Sequence, residues 1–334
     1  MPGNREEFDI EKVLKSKKLE AIETSTEKKA PYTVFESTDK LLLIIVLSLV
    51  GFWSAISSPI YFPALPTLTK YFNTTPSVMN ISVVAYLIFQ GIAPTISSNL
   101  ADTFGRRPVI LGSIIVFCAV CIAISQTNVY WLLALLRCFQ AAGIAPVFAI
   151  SSGVAGDICT PANRGGMVGA VSGLQLAGNG IGGLVGAALI SGFHTWRAIF
   201  IFLAIGGGVT FIFAFLVLAE TSRRIVGNGS IMPKNVLNKA VLIYLPHFKN
   251  KITNDYSTLQ PKGPFDILGP FKIFFQKEVF CTLLPLGMHF AAWTVSLTSL
   301  STELESAKYN YSVMKVGLVY LPQGIACFIG SLIA

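Results

Sequence analysis

Charge set inside an apolar frame is the chemistry this chain has to offer. Residues 98–111 read Ser-Asn-Leu-Ala-Asp-Thr-Phe-Gly-Arg-Arg-Pro-Val-Ile-Leu, a short charged hairpin between two long apolar runs. Asp102, Gly105, Arg106 and Arg107 must turn the chain around within it. Gly105 permits a tight turn, Pro108 suits the first turn of a helix, where its missing N–H costs nothing, and the arginines can anchor the loop among anionic headgroups. A plain positive turn with an incidental Asp102 is the bland alternative. Farther on, Leu133-x-x-x-Arg137-x-x-Gln140 sets a formal charge deep in an apolar run. Such a charge is costly unless paired or facing water, so Arg137 is a functional candidate by default. A structural arginine bonded to backbone carbonyls is the competing reading.

The elements that must hold these residues follow from composition. The 334 residues are 53% hydrophobic and 13% charged, with a mean hydropathy of +0.64. Soluble domains carry about twice that charged share, so most of the chain must face lipid or the inside of a helix bundle. Eight runs approach the ~20 residues that cross a bilayer: 41–62, 78–98, 108–126, 129–151, 165–190, 196–218, 278–301 and 314–334. Lys and Arg orient them. Eight lie in residues 1–40 and nine in 219–277, on the same face as Arg106, Arg107 and Arg164; Lys70, Lys308 and Lys315 lie opposite. The positive-inside rule places the richer face, with the N-terminus, in the cytoplasm. The +8 charge is then topological, and no nucleic-acid partner is expected.

Five of the six cysteines fall in apolar runs, which argues against a disulfide framework or a metal site. No apolar stretch lies near Met1, so no cleavable signal peptide is expected. The charged tail over 1–40 is expected to be disordered. Across 219–277, Pro233, Pro246, Pro261, Pro264 and Pro270 interrupt the hydropathy. That stretch is expected to be a cytoplasmic loop between a six-helix bundle (41–218) and the start of a second (278–334). Gln90-Gly91-Ile92-Ala93 recurs as Gln323-Gly324-Ile325-Ala326, an offset of 233 that agrees with a duplicated six-span unit. On that reading the chain is expected to be a truncated form lacking about four spans.

Glycines stud the fifth run. Gly178-x-x-x-Gly182-x-x-x-Gly186 shares one helical face and lets another backbone approach closely; simple tight packing explains any single one equally well. Taken together, the motifs carry a resemblance. The Leu-Ala-Asp-x-x-Gly-Arg-Arg-Pro string resembles the signature between the second and third spans of the major facilitator superfamily of transporters. Within that superfamily the chain is most similar to the fungal twelve-span drug:proton antiporters. Arg137 with Gln140 resembles the family's second motif, Ala141 replacing its Gly. Gly178, Gly182 and Gly183 resemble the antiporter motif of the fifth span, with Asn179 where Pro is usual. Glu220-Thr221-Ser222-Arg223 resembles the Pro-Glu-Thr run of drug antiporters, with Ala219 in place of Pro. Residues 225–230 resemble the quinidine-resistance subgroup. Ser98 departs from the first motif, which opens on Gly.

The resemblance implies that Asp102, Gly105, Arg106 and Arg107 latch the inward gate through charge pairs and helix-end dipoles. It implies that Arg137, with Gln140, takes part in proton coupling. Asp102, Asp157 and Glu220 all lie at span ends, so no proton carrier is assigned. The expected fold is an all-α polytopic membrane protein of the major facilitator type: a six-helix bundle of two inverted three-helix repeats, followed by the first two helices of a second bundle. The expected function is proton-coupled export of drugs or other small organic compounds across the plasma membrane, by alternating access around a midplane cavity. No cofactor is expected, and the complete protein is expected to be a monomer. Trp53, Gln90, Gln175, Asn179 and Trp293, all placed mid-span, are expected to line the cavity. A uniporter or importer of sugars or organic acids, and a fragment that transports nothing, are the open alternatives.

Overall fold

The computed structural model describes residues 32–240, 252, 256–259, 269–305 and 309–333. The chain divides into Met1–Tyr32 and Thr33–Ala334, and the account below is of the second part. The expected disorder of the tail falls on residues 1–31, outside the described residues.

Helix α1 (Ser37–Ile56) opens on a reciprocal cap between Glu36 and Asp39, each side chain bonding the other's backbone N–H. A 3₁₀ turn over Pro59–Ala64, with prolines at 59 and 63 that supply no N–H, leads into α2 (Leu65–Tyr71). Thr75 starts α3 (Pro76–Phe104) by accepting the Val78 N–H at 3.3 Å, and the helix stops at Gly105. Helix α4 (Arg106–Gln126) follows at once. Helices α5 (Tyr130–Ile144) and α6 (Pro146–Ile158) form one span divided at Pro146. Helix α7 (Pro161–Phe193) ends where His194 turns left-handed, at φ +53°, before α8 (Arg197–Val217). The short α9 (Arg223–Val226) and α10 (Gly269–Phe274) precede α11 (Lys277–Leu304), α12 (Val313–Val319) and α13 (Leu321–Ile333).

Among the described residues, seven helical stretches are long and apolar enough to cross a membrane, from Ser37–Tyr71 to Lys277–Leu304. Several outrun the apolar stretches that announced them: α3 continues to Phe104 and α7 begins at Pro161. Hydropathy marks the part that meets lipid, whereas the helix continues until a cap or a glycine ends it. The eighth expected run is helical over Val313–Val319 and Leu321–Ile333, with a break at Tyr320. Pro322, which cannot donate to the turn before it, sits just beyond the break.

Within the body α1 packs on α7, α3 on α5, and α4 on α5 and α8, while α7 also meets α13. Leu43, Val46, Leu47, Ile114, Phe117 and Leu203 are buried where these helices cross. Of the loop expected over 219–277, residues 241–251, 253–255 and 260–268 lie outside the described residues. Its first part is folded onto the bundle, with Glu220, Thr221, Ser222, Val226, Ile231 and Ala240 buried, and Val34 N–H donates to the Asn228 carbonyl at 3.1 Å. Polar backbone this close to the helix ends gains partners there that a free loop would have to find in water.

Candidate functional site: a charged latch, a caged arginine and a cavity

The turn between α3 and α4 is held by a carboxylate from the chain just after α8, more than a hundred residues on. Gly105 adopts φ +112°, and a side chain there would also press on Glu220, whose Cδ would lie 3.0 Å from a Cβ. Glu220 Oε1 accepts the Arg106 N–H at 2.9 Å and Oε2 accepts the Arg107 N–H at 3.2 Å. Oε1 also takes the N–H groups of Thr221 and Ser222, at 3.0 and 2.9 Å. The carboxylate thus caps the positive end of α4. Burial pushes its carboxyl up from the ordinary value, against the pull of these four N–H groups.

Arg106 bridges two acids: Nη1 lies 2.7 Å from Asp102 Oδ1, and Nε donates to Asp157 Oδ2 at 3.1 Å. Arg223 Nε donates to the Asp157 carbonyl at 3.0 Å. Arg107 does something else. It is buried, and it donates to carbonyls: Leu237 at 2.8 Å, Phe215 at 2.6 Å, and Lys239. The structure thus brings Asp102, Gly105 and Arg106 together with Asp157 and Glu220, while Arg107 ties the chain after α8 to the bundle. The sequence placed Asp157 and Glu220 at span ends without a role. Only Glu220 had a motif to mark it.

Arg137, on α5, has no solvent exposure and sits between two rings, its guanidinium 4.2 Å from the centre of Tyr61 and 4.1 Å from that of Tyr86. Nη1 donates to Gln140 Oε1 at 2.8 Å and to the Ser57 carbonyl at 3.3 Å. Gln140 in turn donates to Cys121 Sγ at 3.2 Å. Nε and Nη2 are buried without a partner. Among the described residues no carboxylate bonds this arginine. Two aromatic faces and two oxygens offset its charge, so it carries features of both readings the sequence left open.

The glycines of α7 serve two faces. A Cβ on Gly178 would lie 2.9 Å from the Phe52 carbonyl, and one on Gly182 2.7 Å from Pro59, while Gly186 abuts the Ile60 carbonyl. That stripe is where α1 and its 3₁₀ extension settle. Gly180 and Gly183 face the other way: Gly180 meets Gly324 of α13, and Gly183 meets the ring of Tyr320, 2.7 Å from where its Cβ would stand. Close approach of this kind substitutes for the hydrophobic drive that lipid does not supply.

A cavity of about 320 Å³ opens mid-body, walled by Phe62, Phe148, Phe290 and Trp293 with the carboxamide residues Gln90 and Asn179. Two expected liners lie elsewhere. Trp53 donates its indole N–H to Thr210 Oγ1 at 2.7 Å and packs on Phe202 and Gly206 of α8. Gln175 is buried, donating to the Leu47 carbonyl at 3.2 Å and to Ser151 Oγ at 3.3 Å. Both are interhelical ties. Mid-span position gives depth along a helix but not the face, and a step of one residue turns the side chain by about 100°.

Helices of membrane-crossing length, a charged turn after the second and a cavity shared by early and late helices define a multi-pass membrane protein of transporter type. Residues 47–334 match the Major Facilitator Superfamily, and the chain belongs to that family. It is 99% identical over 334 residues to the MFS antiporter QDR1 of Candida albicans, covering 100% of this chain and 66% of that protein. It is 43% identical over 299 residues to quinidine resistance protein 1 of Saccharomyces cerevisiae, covering 89% of this chain and 53% of that one. The chain therefore spans roughly half to two thirds of the length of these relatives. Among solved structures, the xylose transporter XylE from E. coli in a partially occluded inward open conformation superposes with a TM-score of 0.62. That match has 13% identity and covers 86% of this chain and 71% of the other, a likeness of fold.

Proposed function

We propose that the chain serves proton-coupled export of drugs and other small organic compounds by alternating access, with no cofactor and the proton gradient as its energy source. One observation carries the reading: a single mid-body cavity is walled by α1, α3, α6 and α7 of the first bundle and by α11 of the second. Movement of one bundle against the other would open that cavity to alternate sides. The charged end at Gly105 is then the cytoplasmic one, with the N-terminus on the same side, in a plasma membrane. Asp102, Arg106, Asp157 and Glu220 latch this inner end. The contacts of Gly180 and Gly183 with α13 and Tyr320 close the bundles on each other beside the cavity. Arg137 senses protonation through the charge balance of its cage, and the complete transporter is a monomer.

The test is vesicle counterflow. The 36.0 kDa chain is reconstituted, loaded with rhodamine 6G, and given an imposed proton gradient. Proton-driven dye movement is the expected result. Dye movement indifferent to the gradient would make this a uniporter, and no movement at all would make the chain a non-transporting fragment. Either outcome overturns the proposal.

A further inference from the structure

The cavity wall is unusual in its polar groups. Gln90 on α3 and Asn179 on α7 both border the space, and no group among the described residues hydrogen-bonds either carboxamide. Other amides and the indole of the first bundle are engaged: Gln175 on Leu47 and Ser151, Gln140 on Arg137 and Cys121, Trp53 on Thr210. Both residues are half-buried, so each amide stays open on the cavity side to water or to a ligand, and a ligand that displaces the water must satisfy it. Ser54, Ser58 and Thr294 add small hydroxyls, that of Thr294 donating to the Phe290 carbonyl at 2.9 Å; the remainder of the wall is apolar, with the rings of Phe62, Phe148, Phe290 and Trp293, and no ionisable side chain among the described residues belongs to it. Arg137, the one cation near this level, is sealed between Tyr61 and Tyr86 and does not reach the cavity.

We infer that Gln90 and Asn179 read the polar group of the ligand, and that this cavity takes aromatic compounds bearing an uncharged hydrogen-bonding group while rejecting carboxylates. The inference rests on the cavity being the transport site. A carboxamide both donates and accepts, so a ketone, hydroxyl, amide or azole nitrogen finds a counterpart in one or other of the two residues. Such a group exchanges a bond to water for a bond to protein at little net cost, while the aromatic body supplies the burial. A carboxylate would surrender its hydration with no cation to receive it. Asn179 stands beside Gly178 and Gly180, whose close contacts to α1 and α13 fix the helix and so aim the amide.

Equilibrium dialysis against the chain in lipid nanodiscs tests this, with empty nanodiscs as the blank and three probes of one shape: 2-naphthamide, 2-methylnaphthalene and 2-naphthoate. 2-Naphthamide is expected to bind most tightly. Asn179→Ala is expected to weaken it about fivefold, the loss of one hydrogen bond, and to leave 2-methylnaphthalene within about twofold. Gln90→Ala should do the same independently, and Asn179→Gln, which keeps a carboxamide, should hold the amide probe better than alanine does. An unchanged unfolding temperature identifies the variants as folded. If both alanine variants weaken amide and hydrocarbon alike, or if 2-naphthoate binds as well as 2-naphthamide, the inference is wrong while the cavity reading survives. If none of the three probes binds above the blank, the cavity reading falls and takes the inference with it.

Discussion

Gly180 of α7 and Gly324 of α13 meet backbone to backbone, so that a methyl group on either would overlap the other's Cα. The contact joins the first bundle to the second near the middle of α7, beside Asn179 of the cavity wall and one turn from where Tyr320 lies on Gly183. No side chain larger than hydrogen fits. The tightness of this closure is therefore written in the absence of atoms.

Gly180→Leu should force α7 and α13 apart. Overpacking of this kind typically costs about 1–3 kcal/mol, so the unfolding temperature should drop. Phe62, which borders the cavity and stacks near Tyr320, gives the more pointed readout. Phe62→Cys should be labelled faster by an impermeant reagent in the Gly180→Leu background; equal rates would mean that the glycine contact does not seal the cavity.

Glu220→Gln should destabilise the inner end. A carboxamide offers one acceptor oxygen where the carboxylate offers two, so the N–H of Arg106 or Arg107 is left without its charged partner. Hydrogen bonds to charged groups contribute about 1.5–3 kcal/mol each. Thermal unfolding should fall accordingly, and hydrogen exchange at Arg106 and Arg107 should quicken selectively.

Asp157→Asn should cost more than Asp102→Asn. The Asp157 side chain is 15% exposed and Asp102 is 37% exposed, though both engage Arg106. Exposed pairs contribute at most about 1 kcal/mol, so Asp102→Asn should barely move the unfolding temperature while slowing the transport cycle. A larger stability loss from Asp102→Asn would reverse the roles assigned to the two acids.

Arg137→Leu should abolish proton-driven movement of rhodamine 6G and leave the amount of folded chain in the membrane nearly unchanged. Leucine removes a charge that has no carboxylate partner among the described residues, and removes with it the cost of burying that charge. Wild-type counterflow by this variant would retire Arg137 from coupling.

Acid should stabilise the outer rim. Glu305 lies just beyond α11, with Lys70 of α2 and Tyr320 facing it, and one carboxyl oxygen is buried without a partner. Burial pushes its carboxyl up from 4.5 to about 6, with Lys70 drawing it the other way. A carboxyl raised in the folded state favours the fold while protonated. That contribution is whole below about 4.5 and is lost as the pH climbs through about 6. Raising the pH across this window should lower the unfolding temperature of the wild type more than that of Glu305→Gln. Parallel curves would show that Glu305 titrates as in water.

Much of this molecule could be read from residue order. Apolar runs near the bilayer thickness have few other places to go, so six of the first-bundle spans and α11 were legible as helices, and the Asp-to-Pro string pointed to its family. The eighth run is helical where expected, but the break at Tyr320 ahead of Pro322 was not legible because hydropathy does not register it. How the stretch from Ala219 to Ala240 folds onto the bundle was not legible, because its partners belong to helix ends distant in sequence: the Arg106 and Arg107 N–H groups for Glu220 and the Phe104 carbonyl for Asn238.

Sequence alone settled depth: how far along a span Arg137, Gln175 or Asn179 sits follows from counting residues at a fixed rise per residue. Tertiary structure decided azimuth and partner. Whether Gln175 ties helices or Asn179 faces a cavity, and whether Arg107 finds an acid or three carbonyls, depends on how neighbouring helices are rotated. That rotation is set jointly by close contacts such as those of Gly178 and Gly180, which involve pairs of residues more than a hundred positions apart.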